Sequence, residues 1–225
     1  MSLDFELIIP LLTIISIDIV LGGDNAIVVA LACRNLPDRL RNKAIFFGIC
    51  IAIIARISLT LVAVHLLKIP MLMAIGGALL LYISYHLITE LEDEREIEGK
   101  TTMLAAIKTI IIADIVMGFD NVIAVAGAAH GNNTFVIVGL LVSVPIIIWG
   151  SKIILLAMDR FPIIIYGGAA ILAFTATKMI IHEPMLTQLF SSHPFISTFL
   201  QISLIIAVLF SGWFMKKLRK NSIVF

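Results

Sequence analysis

The sequence predicts an all-α membrane protein with seven transmembrane helices, arranged as two inverted three-helix repeats followed by a seventh helix. Three observations predict this fold class. The chain of 225 residues is 60% hydrophobic and only 14% charged, whereas a soluble domain carries about 25% charged residues. Its apolar residues form blocks long enough to cross a bilayer, which takes about 20 residues per helix. A polar motif also occurs twice, 96 positions apart.

Seven apolar blocks fit transmembrane helices in order along the chain. They cover 7–33, 44–67, 71–89, 104–129, 135–157, 163–181 and 196–215. The third and sixth are short, and each begins close after a proline, Pro70 or Pro162, which suits the first turn of a helix. No Lys or Arg precedes the first block, whereas a secretory signal peptide starts with a basic region. We therefore expect the first block to be a permanent helix.

The positions of Lys and Arg predict the orientation, because these residues accumulate in cytoplasmic loops. Eleven of them lie in the connections after the first, third and fifth blocks and in the C-terminal tail. The opposite side has Lys68 in a loop and Lys178 near a helix end. This asymmetry predicts an outside N-terminus and a cytoplasmic C-terminus. The acidic run 90–100 would then be cytoplasmic, where such a run is more often a solvated linker than a collector of cations.

Two stretches of the chain are copies of one another. Residues 13–32 align with 109–128 without gaps and share 13 identities in 20. Later matches follow in the same order: Gly48 with Gly139, Pro70 with Pro162, and the pair Gly76 and Gly77 with Gly167 and Gly168. A chance similarity among Ile, Val and Ala runs would not reproduce the shared Asp, Gly and Asn residues. Spans one to three and four to six therefore form two copies of one unit.

The odd number of spans in each copy predicts an inverted arrangement, because the second copy must enter the membrane from the opposite side. Many transporters are built this way, with the binding site at the midplane between the repeats. The chain then divides into a first three-helix repeat with an acidic cytoplasmic linker, a second and inverted repeat, and a seventh helix with a basic cytoplasmic tail. The boundaries are 1–103, 104–182 and 183–225.

The repeated motif reads DIVLGGDN at 18–25 and DIVMGFDN at 114–121, near the middle of the first and fourth spans. An acid at the bilayer centre costs about 2.5–3.5 kcal/mol on insertion scales, so four acids favour a functional role. The structural alternative is that the acids are protonated or paired with Arg56, Lys108 or Lys152. The candidate metal ligands are Asp18, Asp24, Asn25, Asp114, Asp120 and Asn121.

The glycines inside the motif predict an interruption of the first span. On a regular helix, Asp18, Gly22 and Asn25 share one face, and Asp24 lies about 120° away from Asp18. A break near Gly22 would turn Asp24 and Asn25 toward one cavity, as in the broken helices of midplane sites. Close helix packing is the alternative role of such glycines. Phe119 replaces the second glycine in the other copy, so we expect a milder break there.

The ligand types predict which ion is bound. Because the two spans run in opposite directions, we expect Asp18 to lie level with Asp120, and Asp24 with Asp114, so that four carboxylates and two amide oxygens converge. Oxygen ligands suit Mn²⁺, Mg²⁺ or Ca²⁺ better than Zn²⁺ or Cu⁺. A thioether ligand from Met117 would favour Mn²⁺, although a methionine at such a position more often packs.

Arg56 lies near the centre of the second span, and the aligned part of the fifth span, VPIIIWG, has no basic residue. Four acids and one arginine leave about three negative charges, which suits one divalent ion with one or two protons. Arg56 is either a tuner of the site's charge that pairs transiently with an emptied carboxylate, or one half of a static salt bridge. The sequence leaves both readings open.

These residues predict a carrier that exports Mn²⁺ or a similar divalent cation, with the metal ion and the lipid bilayer as its partners. Like-charge crowding in the empty site predicts that protons replace the metal, as in metal/H⁺ antiport. No phosphate-binding loop of the G-x-x-x-x-G-K-[ST] type occurs, so the carrier is secondary or takes energy from a partner. The net charge of +1 indicates no nucleic-acid partner. A homo-oligomer or another membrane protein remains open as a partner.

Two other function classes compete with the carrier. A membrane scaffold or sensor would bind the metal and recruit partners without moving it, but it would not need a pseudo-symmetric site at the midplane. An intramembrane hydrolase also uses paired aspartates, but here the acids come with amides, which is more typical of cation coordination. We therefore do not expect an enzyme.

At DIVLGGDNAIV and DIVMGFDNVIA, within seven spans, the chain resembles the TerC family of integral membrane proteins over about 10–215. The resemblance implies a role in metal-ion homeostasis, chiefly manganese export, and the family is also associated with tellurium resistance. It implies a bacterial plasma membrane location. It further implies that the function is carried by the motif residues Asp18, Asp24, Asn25, Asp114, Asp120 and Asn121.

Overall fold

The computed structural model describes residues 11–18, 22–62, 69–89, 99–129 and 133–222. These residues form nine helices and no strand. The helices are α1 Leu11–Asp18, α2 Gly23–Cys33, α3 Asp38–Leu61, α4 Leu72–Thr89, α5 Gly99–Ala128, α6 Asn133–Arg160, α7 Ile163–Ile181, α8 Pro184–Ser192 and α9 Pro194–Ser222. The all-α fold class predicted from the sequence is therefore confirmed for the described part of the chain.

Five of these helices, α3, α4, α6, α7 and α9, are long and apolar enough to cross a membrane. The number rises to six if the bent pair α1 and α2 forms one span. The fourth predicted span corresponds to α5, which has 30 residues and carries the second motif, but it is not among these helices. Large apolar side chains such as Trp149, Ile163 and Phe195 are mostly exposed, as expected of helices that face lipid rather than water.

The connection before the last span differs from the sequence expectation. The predicted spans leave residues 182–195 without a helix, but these residues contain the nine-residue helix α8, none of whose side chains is buried. Its start follows from Pro184, since a proline suits the first turn of a helix. The last helix also begins at a proline, Pro194, and runs to Ser222, beyond the predicted end at 215. A span-length window detects only the apolar part of such a helix.

The most extensive contacts among helices α2 to α7 stay the same set when the helices of one sequence repeat are exchanged for those of the other. Two couples of pairs exchange with each other: α3–α5 with α2–α6, and α4–α5 with α2–α7. Three further pairs, α2–α5, α3–α6 and α4–α7, each exchange into themselves. Replacing α2 by α5, α3 by α6 and α4 by α7, and the reverse, reproduces the same pairs. The last helix, α9, packs against α4 and α7.

Two close contacts between helices are also equivalent when the two sequence repeats are exchanged. The backbone of Gly48 lies against the side chain of Ile110, where an added Cβ would come within 2.8 Å of it. The backbone of Gly139 lies against Ile14 so closely that an added Cβ would overlap its side chain. Gly48 is aligned with Gly139, and Ile14 with Ile110. Small residues permit such close approach of membrane helices, so these glycines allow α3 to pack closely against α5, and α6 against α1.

The end of α7 is tied to the start of α4 by a buried carboxylate. Glu183 accepts backbone hydrogen bonds from Met71 at 3.0 Å, Met73 at 3.1 Å and Ala74 at 3.3 Å. The first amide groups of a helix have no partner within the helix, and a negative charge is favourable at that end. Met71 itself has a φ of 63°, a conformation that is uncommon outside glycine and that precedes the first turn of α4.

Candidate functional site

The first motif lies at the junction between helices α1 and α2. The helix α1 ends at Asp18, α2 begins at Gly23, and their directions differ by 43°; residues 19–21 lie outside the described residues. The Gly22 amide donates to the Asp18 carbonyl oxygen at 2.7 Å, and a Cβ at Gly22 would overlap that oxygen. This position therefore requires glycine, and the interruption agrees with the break predicted from the glycine pair.

The second motif lies inside a continuous helix. The helix α5 runs from Gly99 to Ala128 through Asp114 and Asn121, so the milder break expected near Gly118 does not interrupt it. Gly118 faces the side chain of Arg56, and an added Cβ would lie 4.0 Å from Arg56 Cγ and Nε, an ordinary contact. Nothing around Gly118 therefore requires glycine in the way that Gly22 does.

The first acids of the two motifs share one arginine. Arg56, on α3, donates through Nη1 to Asp18 Oδ1 at 2.6 Å. The same guanidinium grips Asp114 with two hydrogen bonds, from Nε to Oδ2 at 3.2 Å and from Nη2 to Oδ1. Asp18 and Asp114 are equivalent residues of the two motifs, so this ion triad joins the two repeats at one cation.

The triad is almost completely removed from the surface. The side chains of Arg56, Asp18 and Asp114 are 3%, 1% and 11% exposed. Two carboxylates and one guanidinium sum to one negative charge when all are ionised. Replacing buried ion pairs by apolar residues is often neutral or even stabilising by about 1–4 kcal/mol. Stability alone is therefore a weak reason for this chain to bury three ionised groups.

The second acid of the first motif lies apart from the triad's hydrogen bonds. Asp24 is half-buried at the start of α2, and its Oδ2 accepts a hydrogen bond from the Thr175 hydroxyl of α7 at 3.3 Å. Its other oxygen, Oδ1, is buried without a hydrogen-bond partner among the described residues. Asp24 thus links α2 to α7, while Asp18 links α1 to α3.

A narrow cavity lies beside the triad. Its lining includes Asn25, Asp114 and Met117 as heteroatom-bearing residues, and the rest is apolar, including Ile53 and Ile147. Its volume is about 10 Å³, roughly the room that one water molecule needs. One acid of the second motif and one amide of the first motif therefore face the same small space.

Several buried polar atoms at this place lack a hydrogen-bond partner among the described residues. They are both amide atoms of Asn25, Oδ1 and Nδ2, and one carboxylate oxygen of Asp18, Oδ2. Burying such groups without a partner costs about 1–3 kcal/mol each, and native proteins do so rarely. Of these residues Asn25 also lines the cavity, so its Oδ1 is a buried oxygen at that space with no partner among the described residues.

The structure brings together some of the predicted ligands and leaves others untested. Asp18 and Asp114 meet at Arg56, and Asn25 and Asp114 meet at the cavity, whereas Asp24 pairs with Thr175. Asn121 is buried within α5. The side chain of Asp120 lies outside the described residues, so the expectation that Asp120 and Asp18 lie at the same depth stays a prediction. Within the described residues, no three Asp, Glu, His or Cys side chains form a group that could hold a metal.

Thr175 is a site residue that the sequence reasoning missed. It lies in the stretch LAFTATKM of the sixth predicted span, where a hydroxyl among apolar residues was the available signal. Such a hydroxyl usually bonds to its own helix, as Thr177 does with the carbonyl of Ala173 at 2.7 Å. Only the tertiary structure distinguishes Thr175, which donates to Asp24 instead.

Comparison with known proteins places the chain among membrane proteins. The family model described as "Integral membrane protein TerC family" matches residues 3–220. The chain is similar to the Bacillus subtilis "Uncharacterized membrane protein YjbE", with 44% identity over 97% of this chain and 100% of that protein. A "UPF0053 protein" of Haemophilus influenzae is 26% identical over 79% of this chain and 83% of its own length. No solved structure matches the chain.

Proposed function

The chain belongs to the TerC family of integral membrane proteins, and on this premise we propose that it exports a divalent metal cation, with Mn²⁺ as the leading candidate. It is a multi-pass integral membrane protein, and the relatives named above are bacterial. The observation that carries the proposal is the pair of equivalent acids, Asp18 and Asp114, that share one buried cation beside a small cavity. A place between the repeats that already favours positive charge suits a cation carrier.

The ligand set favours Mn²⁺ among the hard cations. Around the cavity the protein offers a carboxylate from Asp114, an amide oxygen from Asn25 and a thioether from Met117. Mg²⁺ and Ca²⁺ prefer oxygen ligands alone, whereas a thioether is better accepted by a softer ion. Asp24, Asp120 and Asn121 complete the proposed path, as the remaining polar residues of the two motifs. Ca²⁺ and Mg²⁺ stay open as alternative cargo.

The proposed architecture is seven spans in two inverted repeats, with the site near the bilayer midplane. Two observations support a pseudo-twofold relation between the repeats. The helix pairs stay the same set when the repeats are exchanged, and the contact of Gly48 with Ile110 matches that of Gly139 with Ile14. Three spans per repeat would then invert the second copy. The Lys and Arg distribution favours an outside N-terminus and a cytoplasmic C-terminus.

Proton exchange is the proposed source of energy. Once the metal leaves, acids without a counter-ion repel one another in a poorly hydrated space, and protons can relieve that repulsion. Metal ions compete with protons for carboxylate ligands, so the two can travel in opposite directions. Arg56 already neutralises part of the charge of Asp18 and Asp114, which leaves fewer protons to be exchanged than four free acids would need.

The test is flux through the purified full chain in liposomes. Mn²⁺ is supplied outside, and two enclosed dyes report Mn²⁺ entry and internal pH. We expect Mn²⁺ movement with opposite proton movement in the wild type and in Lys152→Gln, which removes an exposed cation of α6. Flux without proton movement would contradict the antiport alone. Tight Mn²⁺ binding without any flux would contradict the carrier and favour a metal-binding sensor or scaffold.

A further inference from the structure

The ion triad breaks the symmetry of the two repeats. The offset of 91 that aligns Gly48 with Gly139 places Arg56 opposite Ile147. Ile147 is 8% exposed and lines the cavity. Two equivalent acids are thus served by one cation, and the position that symmetry would give to a second arginine holds an apolar side chain. The single arginine belongs to the centre of the site and to one repeat only.

Asp114 faces two competing partners. Both of its carboxylate oxygens accept hydrogen bonds from Arg56, and the same side chain lines the cavity with Asn25 and Met117. A carboxylate held by an arginine fork has little capacity left for a metal ion. Asp18 is bound differently, since Arg56 reaches it with a single nitrogen and its Oδ2 has no partner among the described residues.

We infer that Arg56 is a tethered cation that neutralises Asp114 in the empty carrier and is displaced from it when the metal binds, while Asp18 keeps hold of it. This inference rests on the proposed function and adds a regulatory step to the same site. Arginine suits the role because it stays charged and its fork can bond two carboxylates at once. In the metal-free state the guanidinium replaces part of the metal's charge, so the carrier needs fewer bound protons for its return.

The decisive variant removes the tethered cation without changing the charge. Asp18→Asn combined with Arg56→Gln leaves Asp114 as the only ionised member, so the net charge of the triad stays at one negative. Lys152→Gln is the matched control, because it also replaces a span cation by glutamine, but at an exposed position. Mn²⁺ binding to the purified full chain, net Mn²⁺ efflux, and isotope exchange with Mn²⁺ on both sides are measured in parallel.

We expect the double variant to bind Mn²⁺ at least about tenfold more tightly, since it no longer has to break charged hydrogen bonds at Asp114. Isotope exchange should persist, while net efflux should fall about tenfold because the empty carrier has lost its internal counter-ion. If the double variant had the Mn²⁺ affinity and the net Mn²⁺ efflux of the wild type, the inference would be overturned, and Arg56 would have a structural role only. A wild type that neither binds nor moves Mn²⁺ would overturn the proposed function instead.

Arg56→Lys keeps the inference testable should the double variant fail to fold. A lysine retains the charge but cannot grip both acids as a fork. It should release Asp114 more readily, so that Mn²⁺ binds several-fold more tightly while net efflux continues. Unchanged Mn²⁺ affinity in a folded Arg56→Lys variant would contradict the tethered-cation role.

Discussion

The two copies of the motif have nearly the same residues and different backbones. The first copy spans the end of α1 and the start of α2, which differ in direction by 43°, and the second lies within the unbroken α5. The two copies differ in sequence at two positions, Leu21 against Met117 and Gly23 against Phe119, and the second exchange adds a large side chain. Phe119 extends the apolar packing of α5 toward α4, near Gly76, whereas nothing packs on Gly23.

This comparison teaches that the polar residues of the motif do not by themselves define the site. Asp18 and Asp114 converge on Arg56 in spite of their different backbones. Among the polar residues that follow, Asp24 accepts a hydrogen bond from Thr175 and Asn25 lines the cavity, whereas Asn121 is buried within α5. We therefore expect equivalent substitutions in the two copies to have unequal effects.

The largest difference is expected between Asp114→Asn and Asp18→Asn. Asp114 lines the cavity and is the proposed direct ligand, so its asparagine variant should bind Mn²⁺ more than about 100-fold more weakly, the scale of one lost charged ligand. Asp18 is the proposed holder of the displaced Arg56, so Asp18→Asn should weaken Mn²⁺ binding only about tenfold. Titration of Mn²⁺ into the purified variants measures both effects. Equal losses would mean that both acids are direct ligands.

The two glycines of the comparison should respond in opposite ways to alanine. Gly22→Ala places a Cβ against the Asp18 carbonyl oxygen, which must move, so it should destabilise the protein by about 1–3 kcal/mol. Gly118→Ala meets only ordinary contacts with Arg56 and should stabilise a helical position by about 0.5–1 kcal/mol. Thermal unfolding in detergent compares them. A neutral Gly22→Ala variant would show that the break does not depend on glycine.

A smaller effect tests where the repeats are alike. Gly48→Ala should destabilise the protein by about 1 kcal/mol, near the lower end for overpacking, because its methyl group meets the terminal Cδ1 of Ile110. Gly139→Ala should cost somewhat more, because its methyl group overlaps Cγ2 of Ile14, which lies next to that residue's backbone. Ile110→Val removes the Cδ1 atom that an alanine at 48 would approach most closely, so the pair Gly48→Ala with Ile110→Val should recover stability. Without such recovery in a double-mutant cycle, the close contact between α3 and α5 would be wrong.

The smallest effect is expected at Thr175. Thr175→Val removes the hydroxyl that bonds Asp24, a loss of about 1 kcal/mol, and should slow Mn²⁺ flux several-fold with little change in Mn²⁺ affinity. Thr177→Val, on the same helix, removes a hydroxyl that bonds only its own helix in the structure and serves as the control. If both variants slow flux equally, the Asp24 contact has no part in transport.

The sequence was most informative where composition and spacing act directly. Long apolar blocks predicted helices, and the glycine pair predicted an interruption near Gly22. The unmatched Arg56 was predicted to lie near the centre of the second span, as a partner of the acids. The sequence could not decide between a tuner and a static salt bridge, because that depends on which acids the arginine reaches. Which acids Arg56 reaches depends on how helices α1, α3 and α5 cross in space. The periodicity of residues along a single helix carries no information about these crossings.

Other features were hidden for equally physical reasons. Glu183 was overlooked because it caps the first turn of α4 from more than 100 residues away in the sequence. Capping signals in a sequence are recognised only close to the helix they cap. Asp24 was grouped with the other acids because helical geometry alone ignores Thr175, which comes from the sixth predicted span. The convergence of four carboxylates stays a prediction, since the side chain of Asp120 lies outside the described residues.

The central claim is that a divalent cation binds between the two motifs, at the cavity that Asn25 and Asp114 share. Its most direct test is a crystal structure of the full chain grown with Mn²⁺, in which anomalous scattering locates the ion. The account predicts a peak about 2–2.6 Å from an Asp114 carboxylate oxygen, as for other hard cations, with the Arg56 fork withdrawn from that carboxylate and still on Asp18. An ion bound elsewhere, with Arg56 still gripping both acids, would contradict it.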